Sequence, residues 1–135
     1  MAPVRLLVLI AVLAIMRGCP TEVRFQSPGD PDTCRRALSS VLRRDGYSVT
    51  SDAQNLIVKF PAYEGRTHGL FGMGPKWQEK AVVTITFSPY ESRTNIEAIP
   101  KIYERQNDNF NWVETGENER SDKVIRPLFN KLQSL

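Results

Sequence analysis

WQEKAVVTITF, residues Trp77–Phe87, is the stretch on which the fold turns. Ala81, Val83, Ile85 and Phe87 share one face of an extended strand and Val82, Thr84 and Thr86 the other, so one side is apolar and the other semi-polar. Ser88–Arg93 reads as a turn, and Thr94–Tyr103 (TNIEAIPKIY) continues the alternation, with Ile96, Ala98 and Ile102 inward and Glu97, Lys101 and Tyr103 outward. Upstream, YSVT (Tyr47–Thr50) and LIVKF (Leu56–Phe60) flank the turn residues Ser51–Asn55 and predict a hairpin, with Pro61 ending regular pairing or marking an edge.

Two helices flank this strand-rich centre. Asp30 or Asp32 can cap the first, Pro31 suits its opening turn, and Cys34, Ala37, Leu38, Val41 and Leu42 recur at helical spacing until Gly46. Its other side holds Arg35, Arg36, Arg43 and Arg44. No aromatic residues interleave with them, so they read as a solvated face and not as a phosphate site. The second helix is predicted to start at Ser121 or Asp122, with Val124, Ile125, Leu128, Phe129, Leu132 and Leu135 forming one stripe. Pro127 then falls near the end of its first turn and predicts at most a kink. The fold class expected is α+β: an antiparallel sheet of four or five strands with an N-terminal and a C-terminal helix packed on one face.

Between the hairpin and Trp77 lies Glu64–Lys76 (EGRTHGLFGMGPK), a glycine-rich connection carrying Leu70, Phe71 and Met73. It lacks the Gly-Lys-Ser/Thr ending of a phosphate loop and a strand follows it, so no nucleotide site is implied. Its apolar trio either folds back to plug the end of the core, the expectation preferred here, or forms an exposed tip that contacts a partner or a membrane surface. Residues Glu104–Arg120 are polar and turn-rich. Phe110 and Trp112 there predict a satellite patch beneath a loop in preference to one more short strand.

Catalytic chemistry finds little support in the sequence. His68 is the only histidine and sits in the glycine-rich loop, which promises neither an orienting carboxylate nor a nucleophile. One histidine and one uncommitted cysteine cannot assemble a zinc site, and the acidic pairs lack calcium-loop spacing. No metal or cofactor is implied. A binding pocket is the remaining option: Trp77, Phe87, Tyr103 and Trp112 are aromatic enough to line an apolar cavity between sheet and helix, although the preferred expectation is that they simply fill the core.

The N-terminus decides location. In MAPVRLLVLIAVLAIMRGC (Met1–Cys19), Arg5 precedes an unbroken apolar run from Leu6 to Met16, and small Gly18 adjoins Cys19, the organisation of a secretory signal. The run is too short for a comfortable transmembrane helix, which needs roughly 20 residues. An uncleaved anchor stays open. The formal net charge of the chain is +3, but Arg5 and Arg17 leave with residues 1–18, and 16 Lys and Arg then face 15 Asp and Glu. That balance speaks against a nucleic-acid partner. Pro20–Asp32 (PTEVRFQSPGDPD) reads as a flexible tether, with the alternative that Val23 and Phe25 dock as a short edge strand. The division expected is residues 1–18 as signal, 19–32 as lipidated cysteine and tether, and 33–135 as a single domain.

Met16-Arg17-Gly18-Cys19 resembles the lipobox of bacterial lipoproteins, in which the cysteine carries the lipid; it matches at Gly18 and Cys19, and Arg17 departs from the pattern. Pro20 stands where an inner-membrane retention signal would carry Asp, so the resemblance implies an outer-membrane lipoprotein facing the periplasm. An inner-membrane or secreted location is the alternative. If an ordinary signal peptidase cuts upstream instead, Cys19 and Cys34 could pair as a disulfide. The stretches CRRALSSVLRRDGYSV (34–49), LIVKF (56–60), GLFGMG (69–74) and VIRPLFNKL (124–132) resemble the small helix-grip-like domains of the BamC family, accessory lipoproteins of outer-membrane β-barrel assembly. This resemblance implies a non-catalytic binding or assembly module, held to the membrane by its lipid and meeting an envelope protein. A periplasmic carrier of a small hydrophobic ligand is the competing expectation.

Overall fold

The computed structural model describes residues 22–135. The expected signal, the lipobox-like stretch and the expected attachment site at Cys19 lie outside the described residues. Nine regular elements follow in the order β1 (Val23–Pro28), α1 (Pro31–Arg44), β2 (Ser48–Asp52), β3 (Asn55–Lys59), β4 (Tyr63–Thr67), β5 (Lys76–Tyr90), β6 (Arg93–Arg105), β7 (Val113–Thr115) and α2 (Glu119–Gln133). The strands form one antiparallel seven-stranded sheet. The α+β class with two helices is therefore as expected, with more strands than four or five.

A long ribbon of β5 and β6 is the spine, paired from Gln78 opposite Arg105 to Tyr90 opposite Arg93. Only Glu91 and Ser92 turn between them, with Glu91 at φ 55°. Each spine strand is long enough to hold two short strands on its outer edge. Strand β5 takes β3 at Val82–Ile85 and β4 at Lys76–Glu79, and β6 takes β1 at Arg93–Ala98 and β7 at Ile102–Glu104. Strand β2 extends the sheet from β3.

The alternation in β5 buries Ala81, Val83 and Ile85 completely, with Ala98 and Ile102 of β6 beside them. Both helices lie on this face. Helix α1 contributes Cys34, Leu38 and Leu42, and α2 contributes Ile125, Leu128, Phe129 and Leu132. Each large aliphatic side chain so buried contributes roughly 1.5–3 kcal/mol, which is what holds two otherwise polar helices to the sheet. Asp30 caps α1, its carboxylate accepting the Thr33 amide at 2.7 Å, and this hydrogen bond keeps its pKa below the ordinary value. Three of the four arginines of α1 make structural contacts: Arg35 and Arg36 pair with Asp32, Arg35 also donates to the Ala53 carbonyl, and Arg43 donates to that of Val49.

Several boundaries differ from the sequence reading, the turn expected over Ser88–Arg93 among them, since β5 runs on to Tyr90 and β6 starts at Arg93. Residues 23–28 of the expected tether are the edge strand β1, paired with β6, so the alternative of a docked strand at Val23 and Phe25 applies and these residues belong to the domain expected to start at residue 33. Strand β4 occupies the first part of the glycine-rich stretch, because Gly65 permits close packing and Tyr63 and Thr67 find partners along β5. Val113–Thr115 form the short strand β7, which the aromatic neighbours had obscured. Helix α2 is capped by Asn118, whose side chain accepts the Ser121 amide at 2.9 Å while Ser121 Oγ accepts the Asn118 amide at 2.9 Å.

This earlier start makes Pro127 the ninth residue of α2 (Glu119–Gln133), well inside the helix, on its exposed side. A proline there removes one backbone hydrogen bond, which the solvated carbonyl partly recovers from water. Pro127→Ala is expected to stabilise the protein by about 1–3 kcal/mol. Thermal unfolding checks this, and a lowered midpoint would mean that α2 needs the break to fit the sheet.

Candidate functional site

The most unusual local structure lies where β4 passes to β5. A single 3-10 turn spans Leu70–Gly72, closed by the Gly72 amide on the Gly69 carbonyl at 3.3 Å and the Met73 amide on the Leu70 carbonyl at 3.2 Å. Gly69 is indispensable, since a Cβ there would stand 1.6 Å from the Met73 carbonyl oxygen. At the tip Phe71 adopts φ 60° and ψ 27°, the left-handed region that bulky residues avoid. Leu70, Phe71 and Met73 are 84%, 95% and 72% exposed. The expected plug is thus corrected: the tight turn throws the three side chains outward, away from the core. Strain and exposed apolar surface coincide without compensation inside the domain, a combination that marks contact surfaces.

The base of this tip is fixed by a polar and aromatic platform. His68 stacks on Trp77 with ring centroids 3.8 Å apart, and its Nε2 lies 3.2 Å from Glu104 Oε2 and 3.1 Å from Arg66 Nε. Arg66 also reaches both Glu104 oxygens, at 3.2 and 3.3 Å. His68 Nε2 therefore either accepts from Arg66, with its proton on Nδ1, or donates to Glu104. Burial opposes ionisation of Glu104, but the hydrogen bonds from Arg66 and His68 outweigh it and hold the carboxyl below its ordinary pKa. The carboxylate that the loop sequence does not promise is thus supplied by β6, although no nucleophile joins His68 in these contacts.

Opposite Glu104 in register stands Glu79, 1% exposed on the helix-covered face. It accepts from Tyr63 Oη at 2.6 Å, from Asn118 Nδ2 at 3.2 Å and from Arg120 Nη2 at 3.0 Å. Burial, and then the hydrogen bond to Glu79, push the Tyr63 phenol well above its ordinary pKa, so it stays a donor. Gly65 makes room for this carboxylate: a Cβ there would approach Glu79 Cβ and the Trp77 carbonyl to 3.1 Å. With its oxygens occupied by donors from β4, from the cap of α2 and from α2 itself, Glu79 acts as a tie between elements and not as a base.

The four aromatics named as a possible pocket lining are not brought together. Phe87 is core, 5% exposed, and lies about 33 Å along β5 from Trp77 at the loop end. Tyr103 and Trp112 are on the other face of the sheet, under Lys80 Nζ at 5.7 and 4.5 Å from their ring centroids. An apolar groove of about 280 Å³ does exist elsewhere, between β1 and α1, lined by Phe25, Cys34, Leu38, Val41 and Ile96. Among the described residues no three metal-binding side chains converge, and no helix is long and apolar enough to cross a membrane.

Sequence reasoning passed over Glu79 and Glu104. The signal was present: Glu79 has the same parity as Ala81, Val83 and Ile85, so an acid occupies the apolar side of the clearest strand. The chain matches no protein-family model, and no curated protein sequence is significantly similar to it.

Glu79→Ala is expected to cost about 1–3 kcal/mol by leaving the Tyr63 hydroxyl and the Asn118 amide without their acceptor, and Tyr63→Phe about 1.5–3 kcal/mol; chemical denaturation measures both. Because the Glu104 pKa is lowered in the folded state, its stabilisation is complete above the unfolded-state pKa and is lost as pH falls through the folded value. The stability gap between wild type and Glu104→Gln should accordingly be full at neutral pH and shrink in acid. A gap that does not vary with pH overturns the assigned ion pair.

Proposed function

We propose that the chain is a membrane-anchored bacterial lipoprotein, attached through Cys19, whose domain is a non-catalytic binding or assembly module at the outer membrane, facing the periplasm. The observation that carries the binding role is the preorganised tip of Leu70, Phe71 and Met73, strained at Phe71 and open to contact. The BamC-like pattern of Cys34–Leu135 supports the same reading, with an envelope protein as the partner of the tip.

Cys34 favours lipidation of Cys19 over a disulfide. Its side chain is buried, with Sγ 3.4 Å from the Pro28 carbonyl, while β1 carries the chain from Pro28 to Val23, about 17 Å away along the strand. A disulfide needs the two Cα atoms within about 7 Å, so residues 19–22 would have to double back along β1. The competing reading, a carrier of a small hydrophobic ligand, has the groove between β1 and α1 in its favour. Hydrophobic material retained in a native mass spectrum of the purified chain would favour it.

Metabolic labelling with a fatty acid should mark the wild-type chain and leave Cys19→Ser unlabelled. Label that persists in the variant, or never appears, defeats the lipoprotein reading. Phe71→Ser should leave thermal stability within about 0.5 kcal/mol, as for surface positions generally, while abolishing recovery of an envelope protein after mild crosslinking. A large loss of stability instead would mean that the tip serves the fold.

A further inference from the structure

The uncovered face of the sheet gathers cations that the anchoring reading leaves unused. Lys59 is opposite Val82 in β5, and Val82 is opposite Lys101 in β6, so both lysines share the face away from the helices. Lys80, two residues along β5, joins them. Strand spacing puts Lys59 and Lys101 about 10 Å apart, with Lys80 about 7 Å from Val82. Next to them Trp112 lies between two cations, Lys80 Nζ at 4.5 Å and the Arg105 guanidinium at 4.2 Å from its ring centroid.

Counter-ions are not provided for this group. Nearby acids have their own cations: Glu22 and Glu97 share Arg24, Glu64 pairs with Lys76 and Asp108 with Arg105. Glu114, opposite Tyr103, stands at the β7 rim. Among the described residues no ion pair neutralises Lys59, Lys80 or Lys101. The cost is visible at Lys80, whose pKa is lowered by burial and then by the charges of Lys59 and Arg105.

We propose that this face docks on an anionic bilayer surface, with Lys59, Lys80 and Lys101 meeting lipid phosphates and Trp112 at the boundary between water and lipid. The shape of the face favours a bilayer over a small anion. It is a sheet surface, with partly buried Val82 between Lys59 and Lys101, and partly buried Ile57 and exposed Ile99 in the adjacent register row beside Thr84. Long cationic side chains around an amphipathic ring are the composition that settles at a lipid interface. Proximity follows from the chain path. Residues 19–22 span at most about 14 Å, so a lipid on Cys19 holds the edge strand β1 of this sheet near the membrane. The proposal rests on the anchoring reading for that proximity alone.

The test uses the full chain reconstituted in vesicles with brominated acyl chains. Tryptophan emission of wild type, less that of Trp112→Phe, isolates Trp112. Quenching at least twofold greater in vesicles containing phosphatidylglycerol than in phosphatidylcholine is expected, and 0.5 M NaCl should abolish the difference. Lys59→Glu with Lys101→Glu should return the signal to the phosphatidylcholine level, whereas Lys123→Glu on the helix side should not. Equal quenching in both lipids, or none, overturns the proposal. So does full relief by millimolar inorganic phosphate, which would assign the face to a soluble anion. The mass of the reconstituted chain reports acylation separately: a chain without acyl groups defeats the anchoring reading, and the Trp112 signal still decides the face.

Discussion

One-sided burial along β5 and β6 is the constraint from which the architecture descends. Successive side chains of a strand point to opposite faces, so the run of Ala81, Val83, Ile85 and Phe87 must be covered while Val82, Thr84 and Thr86 need not be. Two amphipathic helices provide the cover, each placing its apolar stripe on the same side of the ribbon. The ribbon is about 50 Å long at 15 residues, far more than β1, β3, β4 or β7 can flank alone, so each edge is shared between two short strands. The gaps between those strands are where the connections leave the sheet.

At the loop end the same parity creates a problem and its solution. Glu79 and Glu104 fall on the covered face, where an unpaired carboxylate would be costly. Donors therefore converge from several elements: Tyr63 and Arg66 from β4, Asn118 and Arg120 from the start of α2, and His68 from the loop. This convergence fixes the stem of the glycine-rich turn. With the stem held and Gly69 closing the turn, Leu70, Phe71 and Met73 are left facing outward on a rigid base.

Legibility of the sequence followed the range of the interactions. Helix α1, the hairpin β2–β3 and the ribbon announced themselves because capping, turn chemistry and alternation act between near neighbours in the chain. Strand β1 was disguised by Pro28 and Gly29 and by its acidic and polar neighbours, since its stability comes from bonding to β6, about 70 residues away. The start of α2 was misplaced because Asn118 and Ser121 share the cap, and either could hold it from sequence alone. The aromatic pocket failed because residue type carries no information about which face, or which end, of a long sheet a side chain occupies.

What the sequence determined by itself is the periodicity: two amphipathic helices and an antiparallel sheet with one apolar face. Tertiary structure alone decided where charge and exposed apolar surface accumulate. A chain whose total charge is nearly balanced after residue 18 still has Lys59, Lys80 and Lys101 on one face, because strand register joins positions far apart in sequence. The apolar trio of the loop likewise points to solvent and not to the core, because the turn geometry at Gly69 and Phe71 sets direction, and composition does not.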